Sequence, residues 1–241
     1  MDIPIDIQQQ AMGYDRTATM FSPQGHLLQV EYAEKTVRLG GSSISMICSD
    51  GVFIIADTRI EDKLIVQKSA NKIYEIDSHI IASVAGILSD ARVLIERAQL
   101  LAQQNRVTYD SEIEPETVIK EISNIKQQFT QYGGARPFGV SLIIAGMNNN
   151  EPELFTSDVT GNYFQYYANA IGENDDLIKE KLREKYNEKL TIKEGIKLAM
   201  NILKDVEKEK FSLSRIEVGI ISKKDKKIKR LYREEIDEFI K

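Results

Sequence analysis

Residues 14–40 read YDRTATMFSPQGHLLQVEYAEKTVRLG, a turn followed by an amphipathic pattern. Ser22 is a predicted N-cap, because its hydroxyl can accept a hydrogen bond from a free N–H of the first helical turn. Pro23 suits the first helical position, where a missing N–H costs nothing. Gly25 weakens that turn, so we expect regular helix only from about residues 26–27.

The predicted helix has one apolar face and is followed by glycines. Gly40 and Gly41 are expected to close it in the left-handed conformation. From periodicity alone, a short helix of this kind ahead of a β-domain is a structural lid. The apolar face carries Leu27, Val30, Ala33 and Val37, which recur at helical spacing.

The composition limits the class of protein. The chain has 241 residues, 42% hydrophobic and 29% charged, and no Pro/Gly/Ser-rich linker divides it, so we expect one domain. Its net charge of -5 argues against a nucleic-acid binder. One cysteine and two histidines offer neither a disulfide framework nor an obvious metal site, and no cofactor is predicted. Without a membrane-length apolar run or a signal peptide, the protein is expected in the cytoplasm, away from membranes.

Runs of strands alternate with pairs of helices along the rest of the chain. This order predicts an α+β fold in which sheets pack together and are covered by helices. No G-x-G-x-x-G loop follows a strand, which argues against a dinucleotide-binding fold. Predicted elements include the strands Ser42–Ser49, Val52–Asp57, Lys63–Gln67 and Tyr163–Ala168, and a helix from Ser89 to about Gln104 with Ser89 or Asp90 as its cap.

Several blocks of this sequence closely resemble archaeal α-type subunits of the 20S proteasome. They are residues 14–40 and, further on, GVFIIADTRI, NKIYEID, SDARVLIERA, YGGARPFGVSLIIAG and NAIGE. The resemblance implies the four-layer αββα sandwich of the N-terminal-nucleophile (Ntn) hydrolase superfamily, with an added N-terminal helix. It also implies a single domain over residues 14–241. Residues 1–13 are polar and lack a repeating apolar face, so we predict a mobile segment there. The resemblance implies that this segment is a gate.

Catalytic members of that superfamily expose a threonine, serine or cysteine as the new N-terminus of the first strand. Here the strand opens with Gly41-Ser42-Ser43, and Ser42 would be a nucleophile only after autocleavage. The residues upstream of Ser42 resemble the N-terminal helix that α-type subunits retain, which argues against this cleavage. Asp57 and Lys72 resemble in position the acid and lysine of catalytic relatives. A non-catalytic subunit is therefore predicted, with an amide hydrolase that uses an autoprocessed Ser42 as the alternative.

The resemblance implies an architectural and gating role. Seven copies would form an outer ring that docks proteasome β subunits, admits unfolded polypeptides and binds the C-terminal tails of ATPase regulators. A stand-alone binding protein of the same fold would instead be monomeric. The implied gate residues are Tyr14, Asp15, Pro23 and Tyr32; those implied for the regulator's carboxylate are Lys72, Gly25 and Gly40; and those implied for the pore constriction are Tyr132, Gly133 and Gly134.

Each implied residue also has a plain local explanation. Lys72 alone would be read as a solvated lysine at a strand start, or as one paired with Glu75 or Asp77. Tyr132 to Gly134 alone would be a helix C-cap. Residues 84–92, VAGILSDAR, depart from the usual archaeal sequence pattern, so the detailed structure of the regulator pocket stays open.

Overall fold

The computed structural model describes residues 12–14, 16–59, 64–232 and 234–240. None of the helices within these ranges is long and apolar enough to cross a membrane. The helices are α1 (Leu28–Leu39), α2 (Leu88–Tyr109), α3 (Pro115–Gln131), α4 (Asp175–Lys185), α5 (Ile192–Glu207) and α6 (Glu234–Ile240), with short 3-10 turns at Gln67–Ala70, Lys208–Lys210 and Leu213–Arg215. The strands are β1 (Ser43–Cys48), β2 (Gly51–Asp57), β3 (Ile73–Asp77), β4 (Ile80–Gly86), β5 (Val140–Asn148), β6 (Glu151–Ser157), β7 (Tyr163–Gln165), β8 (Ala168–Ile171), β9 (Ile216–Ser222) and β10 (Ile228–Tyr232).

The strands form two antiparallel five-stranded sheets. The first sheet has the order β10-β9-β2-β1-β8, and the second has the order β3-β4-β5-β6-β7. One apolar core lies between the first sheet and α4 to α6, another between the second sheet and α2 and α3, and a third between the sheets. This arrangement confirms the predicted α+β, four-layer αββα sandwich.

The central strands are apolar on both faces because each lies between two cores. Every position of β2 is buried. Phe53 and Ile55 face the core under α5, whereas Val52 and Ile54 face the core between the sheets. The burial of both faces explains why these strands lack the polar alternation of a half-exposed sheet.

Helix α1 starts later than its predicted cap. It begins at Leu28, and Leu27 at the N-cap position gives no side-chain capping bond. Ser22 instead closes the preceding turn: its carbonyl accepts from Gly25 N at 2.8 Å, and its hydroxyl accepts from His26 N at 3.2 Å. Gly25 has a φ of 83°. The N-cap prediction for Ser22 was therefore wrong, whereas the expected delay of the helix at Gly25 is confirmed.

The predicted apolar face of α1 is confirmed. Val30, Ala33 and Val37 are buried in the core between the sheets, where α1 contacts β4 and β5. The left-handed closure was wrong, since Gly40 has a φ of -74°. Glycine is required at Gly40 for another reason, because a Cβ there would lie 2.5 Å from the backbone nitrogen of Gly86.

Two predicted strands were wrong. In the stretch predicted as Lys63–Gln67, residue 63 lies outside the described residues and the rest runs through a turn into the 3-10 helix Gln67–Ala70. Its apolar side chains find no core, and Leu64 is 92% exposed. The stretch predicted as Tyr163–Ala168 divides at residues 166–167. β7 pairs with β6 in the second sheet, whereas β8 pairs with β1 in the first.

Helix α2 begins at Leu88 without a side-chain cap, so the predicted capping by Ser89 or Asp90 was wrong. The Asp90 carboxylate instead accepts both terminal nitrogens of Arg136, at 2.6 and 2.7 Å, and the Gly139 N–H at 3.0 Å. Burial opposes ionisation of this carboxyl, but these donors outweigh it and lower the pKa of Asp90. The start of α2 is thereby fixed to the segment that leads into β5.

Lys126 of α3 is a fully buried amine. Its Nζ donates to the carbonyl and to the hydroxyl of Ser157, at 3.2 Å each. Burial lowers the pKa of Lys126 from 10.5 to about 7, and the negative charge of Asp158 opposes this shift. Above pH 7 the unfolded chain therefore holds this proton more tightly than the folded chain, so folding stability increases as pH rises towards 10.

Lys126→Met is expected to reduce the increase of folding stability with pH. The free energy of unfolding, measured with denaturant at pH 7 and pH 9, should rise less in the variant than in the unmodified chain. The rise is reduced rather than abolished, because buried Lys72 titrates in the same range. Lys120→Met, at an exposed position of the same helix, is the control and should keep the full rise. An unchanged rise in Lys126→Met would contradict the expectation.

Candidate docking pocket around Lys72

A pocket of about 810 Å³ lies where α1, β3 and the start of α2 meet. Its walls come from the end of α1, the loop after β2, the segment that leads into β3, the first turns of α2, and Arg230 of β10. The pocket therefore lies between the edge strands of the two sheets, β3 and β10, which are far apart in sequence.

Lys72 lies at the base of this pocket and is only 5% exposed. Its ammonium group donates to the backbone carbonyl of Gly41, and more weakly to those of Asp57 at 3.3 Å and Ser42 at 3.4 Å. Burial lowers the pKa of Lys72 to about 7, although the nearby charge of Asp57 acts in the opposite direction. The amine is thus held by backbone oxygens and has no bonded carboxylate among the described residues.

Lys72 is neither solvated nor paired with Glu75 or Asp77, so both local explanations of this lysine were wrong. Asp77 pairs with Arg106 of α2 at 2.9 Å, and Glu75 has an exposed side chain. The Lys72 side chain turns inwards because the carbonyls between α1 and β1 supply the acceptors that a buried amine requires.

The outer edge of β3 is closed by side chains. Glu217 of β9 accepts the backbone N–H groups of Lys72 at 3.0 Å and Ile73 at 3.3 Å. Gln99 of α2 donates to the Glu75 carbonyl at 2.7 Å. Burial raises the pKa of the Glu217 carboxyl, and the two N–H groups partly oppose that shift. Side chains from β9 and α2 thus take the place of a neighbouring strand.

Ser42, the candidate nucleophile, is 1% exposed at the entrance to β1. Its hydroxyl donates to the Glu173 carbonyl at 2.8 Å. Lys72 bonds the backbone carbonyl of Ser42 rather than this hydroxyl. Within the part of the chain that the structure describes, the Ser42 hydroxyl has no basic nitrogen bonded to it.

The Asp57 carboxylate is engaged by arginine rather than by lysine. It accepts Arg215 at 2.8 Å and the backbone N–H of Arg59 at 2.8 Å. Arg215 also lies 3.2 Å from Glu207, and burial followed by the charge of Asp57 raises the pKa of the Glu207 carboxyl. The lysine and the acid that resemble catalytic residues therefore form no ion pair, since Lys72 contacts only the backbone of Asp57.

Apolar side chains surround the mouth of the pocket. Leu39 is 76% exposed, Ile65 40% and Leu88 52%, and all three line the pocket. Exposed apolar surface arranged around a buried cation is typical of a binding site rather than of ordinary surface. No group of three or more His, Cys, Asp or Glu side chains among the described residues is placed to hold a metal.

The structure brings only part of the predicted carboxylate site together. Gly40 lines the pocket with Lys72. Gly25 is not among the lining residues of the described chain, and a Cβ there would meet nothing within 4 Å. The place of Gly25 at the carboxylate site stays a prediction, because the resemblance implies a pocket between adjacent subunits and the structure describes a single chain.

The predicted gate residues are only partly described. Asp15 and residues 1–11 lie outside the described residues. Tyr14 and Tyr32 are half-buried and Pro23 is exposed. The Lys35 ammonium lies 5.4 Å from the centre of the Tyr32 ring.

The predicted constriction loop follows the end of α3. Tyr132 is the C-cap residue and is 69% exposed. Gly134 has a φ of 86°, and a Cβ on Gly133 or Gly134 would meet no atom within 4 Å. Packing inside the chain therefore does not demand glycine at 133, whereas the left-handed backbone favours it at 134.

Sequence reasoning missed most side chains of the pocket, among them Leu88, Arg92 and Arg230. Leu88 and Arg92 are four positions apart, which places them on one helix face, so the pattern held a signal for their proximity. Arg230 had none, because only the pairing of β10 with β9 brings it to the pocket.

Comparison with known proteins gives a consistent result. The family model described as "Proteasome subunit" matches residues 37–221, and a second model, for the N-terminal signature of A-type proteasome subunits, matches residues 14–35. The chain is 42% identical to the proteasome alpha subunit of Methanosarcina barkeri, over 95% of this chain and 92% of the relative. It is 45% identical to the proteasome alpha subunit of Methanocaldococcus jannaschii, over 94% of this chain and 87% of the relative. The chain therefore belongs to the proteasome subunit family and carries the N-terminal signature of its alpha type.

Proposed function

We propose that the chain is a non-catalytic α subunit of the cytoplasmic 20S proteasome core, which forms a seven-membered outer ring, gates substrate entry and docks ATPase regulators. The observation that carries the docking role is the buried Lys72 amine at the base of a pocket with an apolar rim. A chain terminus with apolar side chains and a free carboxylate is complementary to both features.

The absence of catalysis is supported by the surroundings of Ser42. A serine nucleophile requires a base within hydrogen-bond reach of its oxygen. The Ser42 hydroxyl donates to the Glu173 carbonyl, and the Lys72 amine is directed at backbone oxygens.

The remaining parts of the proposal are assembly and passage. β subunits that carry the protease would bind one side of the ring, and unfolded polypeptides would pass through its centre. Tyr14, Asp15, Pro23 and Tyr32 would hold the entrance, and Tyr132 to Gly134 would form the constriction. The exposure of Tyr132 and the open space around Gly133 and Gly134 support this role, because a pore loop needs no packing partners in its own chain.

Deletion of residues 1–13 tests the gate. In a barrel reconstituted with β subunits, the deletion should raise hydrolysis of small peptides and of an unfolded protein, while the barrel elutes at its usual size. The expectation rests on the polar, unpatterned sequence of this segment. Replacing the segment with a glycine-serine stretch of equal length is the control for bulk alone. If the deletion leaves both rates unchanged, this segment does not gate.

The alternative function is an amide hydrolase with a processed Ser42. It requires a mature chain that has lost residues 1–41. The intact mass of the purified protein decides, because retention of the chain of 27.4 kDa, with or without its initiator methionine, excludes this alternative.

A further inference from the structure

The Lys72 pocket has an excess of positive charge. Among the described residues, its lining contains one carboxylate, Glu75, and four cationic side chains, Arg59, Lys72, Arg92 and Arg230. The chain as a whole has a net charge of -5, so the pocket contrasts with the rest of the molecule. Low-dielectric walls around such a cluster concentrate its field and favour anionic ligands.

Two of these cations are already engaged in the chain. Arg59 forms an ion pair with Glu173 and donates to the Leu39 carbonyl at 2.8 Å. Lys72 donates to the backbone carbonyls at the pocket base. Arg59 and Lys72 therefore have fewer N–H donors left for a ligand.

The other two cations are available on different elements of the wall. Arg92 is exposed on α2, four residues after the apolar rim residue Leu88, and makes no hydrogen bond or ion pair within the described part of the chain. Arg230 belongs to β10, and its charge acts on the buried carboxyl of Glu217. The wall of the pocket thus carries two cationic side chains besides Arg59 and the amine at its base.

A bound segment gains fewer backbone hydrogen bonds by joining the sheet at this point. Glu217 and Gln99 already occupy backbone groups on the outer edge of β3. End groups and side chains of the segment therefore contribute more to its recognition. The charges that line the pocket therefore decide which segments bind well.

We propose that the Lys72 pocket selects C-terminal segments with an acidic side chain upstream of the terminal carboxylate, which Arg92 and Arg230 bind while Lys72 binds the terminus. The inference rests on the proposed docking function and adds to it the chemistry of the preferred ligand. The pocket is then a receptor for dianionic tails. Arg92 and Arg230 are its specificity-determining residues.

Short labelled peptides binding to the assembled full-length chain test this selection. Each peptide ends in a free carboxylate after apolar residues and carries one glutamate at a different upstream position, with glutamine in the matched peptide. At one position at least, glutamate should bind about two- to fivefold tighter than glutamine, as exposed ion pairs allow. The preference should shrink as salt is raised. The Arg92→Gln/Arg230→Gln double variant should lose it, whereas Arg97→Gln, an exposed arginine of α2 outside the pocket lining, should keep it.

The same peptides with an amidated C-terminus separate the two claims. If amidation weakens binding but glutamate and glutamine bind alike at every position, the docking function stands and the acidic selection is wrong. If amidation has no effect, the docking function itself fails. A glutamate preference that persists in the double variant also overturns the assignment to Arg92 and Arg230.

Discussion

Replacing Lys72 with alanine or methionine is expected to weaken the binding of each regulator tail roughly 10- to 150-fold, which corresponds to about 1.5–3 kcal/mol for a hydrogen bond to a charged group. Several tails that engage one ring together would multiply the loss. The stimulation of peptide hydrolysis by the regulator, expressed relative to each variant's own unstimulated rate, should fall accordingly. Methionine preserves most of the length of the side chain, so the pocket wall keeps its packing.

Loss of binding alone does not identify the carboxylate as the partner, because the Lys72 amine also bonds Gly41, Ser42 and Asp57. A double-mutant cycle isolates the pair. Amidation of the tail's terminus should weaken binding to the unmodified chain and have no further effect on Lys72→Met. Ser69→Ala, which alters another residue of the pocket lining, should retain the full effect of amidation. An equal effect of amidation in Lys72→Met would remove Lys72 from the site.

The pH dependence of tail binding provides a further check on Lys72. Its pKa of about 7 in the free chain means that the amine loses its proton as pH rises above 7. A carboxylate favours the protonated amine, so tail affinity should fall between pH 7 and pH 9 and binding should take up a proton. In Lys72→Met this fall should disappear, whereas a fall that remains would assign the titration to another group.

Val30→Asp is expected to destabilise the chain by about 3–5 kcal/mol, the cost of an uncompensated buried charge. Val30 is 6% exposed and packs in the core between the sheets. The effect is therefore expected within the single chain, before any contact with a neighbouring subunit. The denaturant midpoint should fall, and hydrogen exchange of α1 should become faster than that of β2.

The control for this change is Lys35→Asp, which adds the same carboxylate on the exposed face of α1. Surface substitutions of this kind usually change stability by less than about 0.5 kcal/mol. If Val30→Asp and Lys35→Asp have equal stability, α1 does not depend on its apolar face. If the isolated Val30→Asp chain keeps its stability and only ring formation fails, that face belongs to an interface between subunits.

Helices and strands were predictable because the spacing of apolar residues in a short stretch of sequence indicates which face is buried. The apolar face of α1 follows from the spacing of Val30, Ala33 and Val37, and it lies where predicted. The turn at Ser22 was mistaken for a helix cap because both use the same hydroxyl acceptor. The left-handed Gly25 delays the helix, which then packs on β4 and β5.

The candidate site was less predictable because its contacts span the chain. Glu217 bonds the Lys72 N–H across 145 positions, and Arg215 bonds Asp57 across 158. Neither pairing leaves a trace in local sequence, so the acid that resembles a catalytic residue was not expected to pair with arginine. Resemblance identified Lys72, but its contacts with backbone carbonyls required the sheets to be in place.

The closed edge of β3 has a consequence for the life of the protein before assembly. An uncovered strand at the side of a sheet is a template for strands of other chains. Glu217 and Gln99 occupy this edge from within the same chain. Pairing of separate free chains through this part of β3 is thereby disfavoured, and substitution of either side chain would expose a backbone group of the edge.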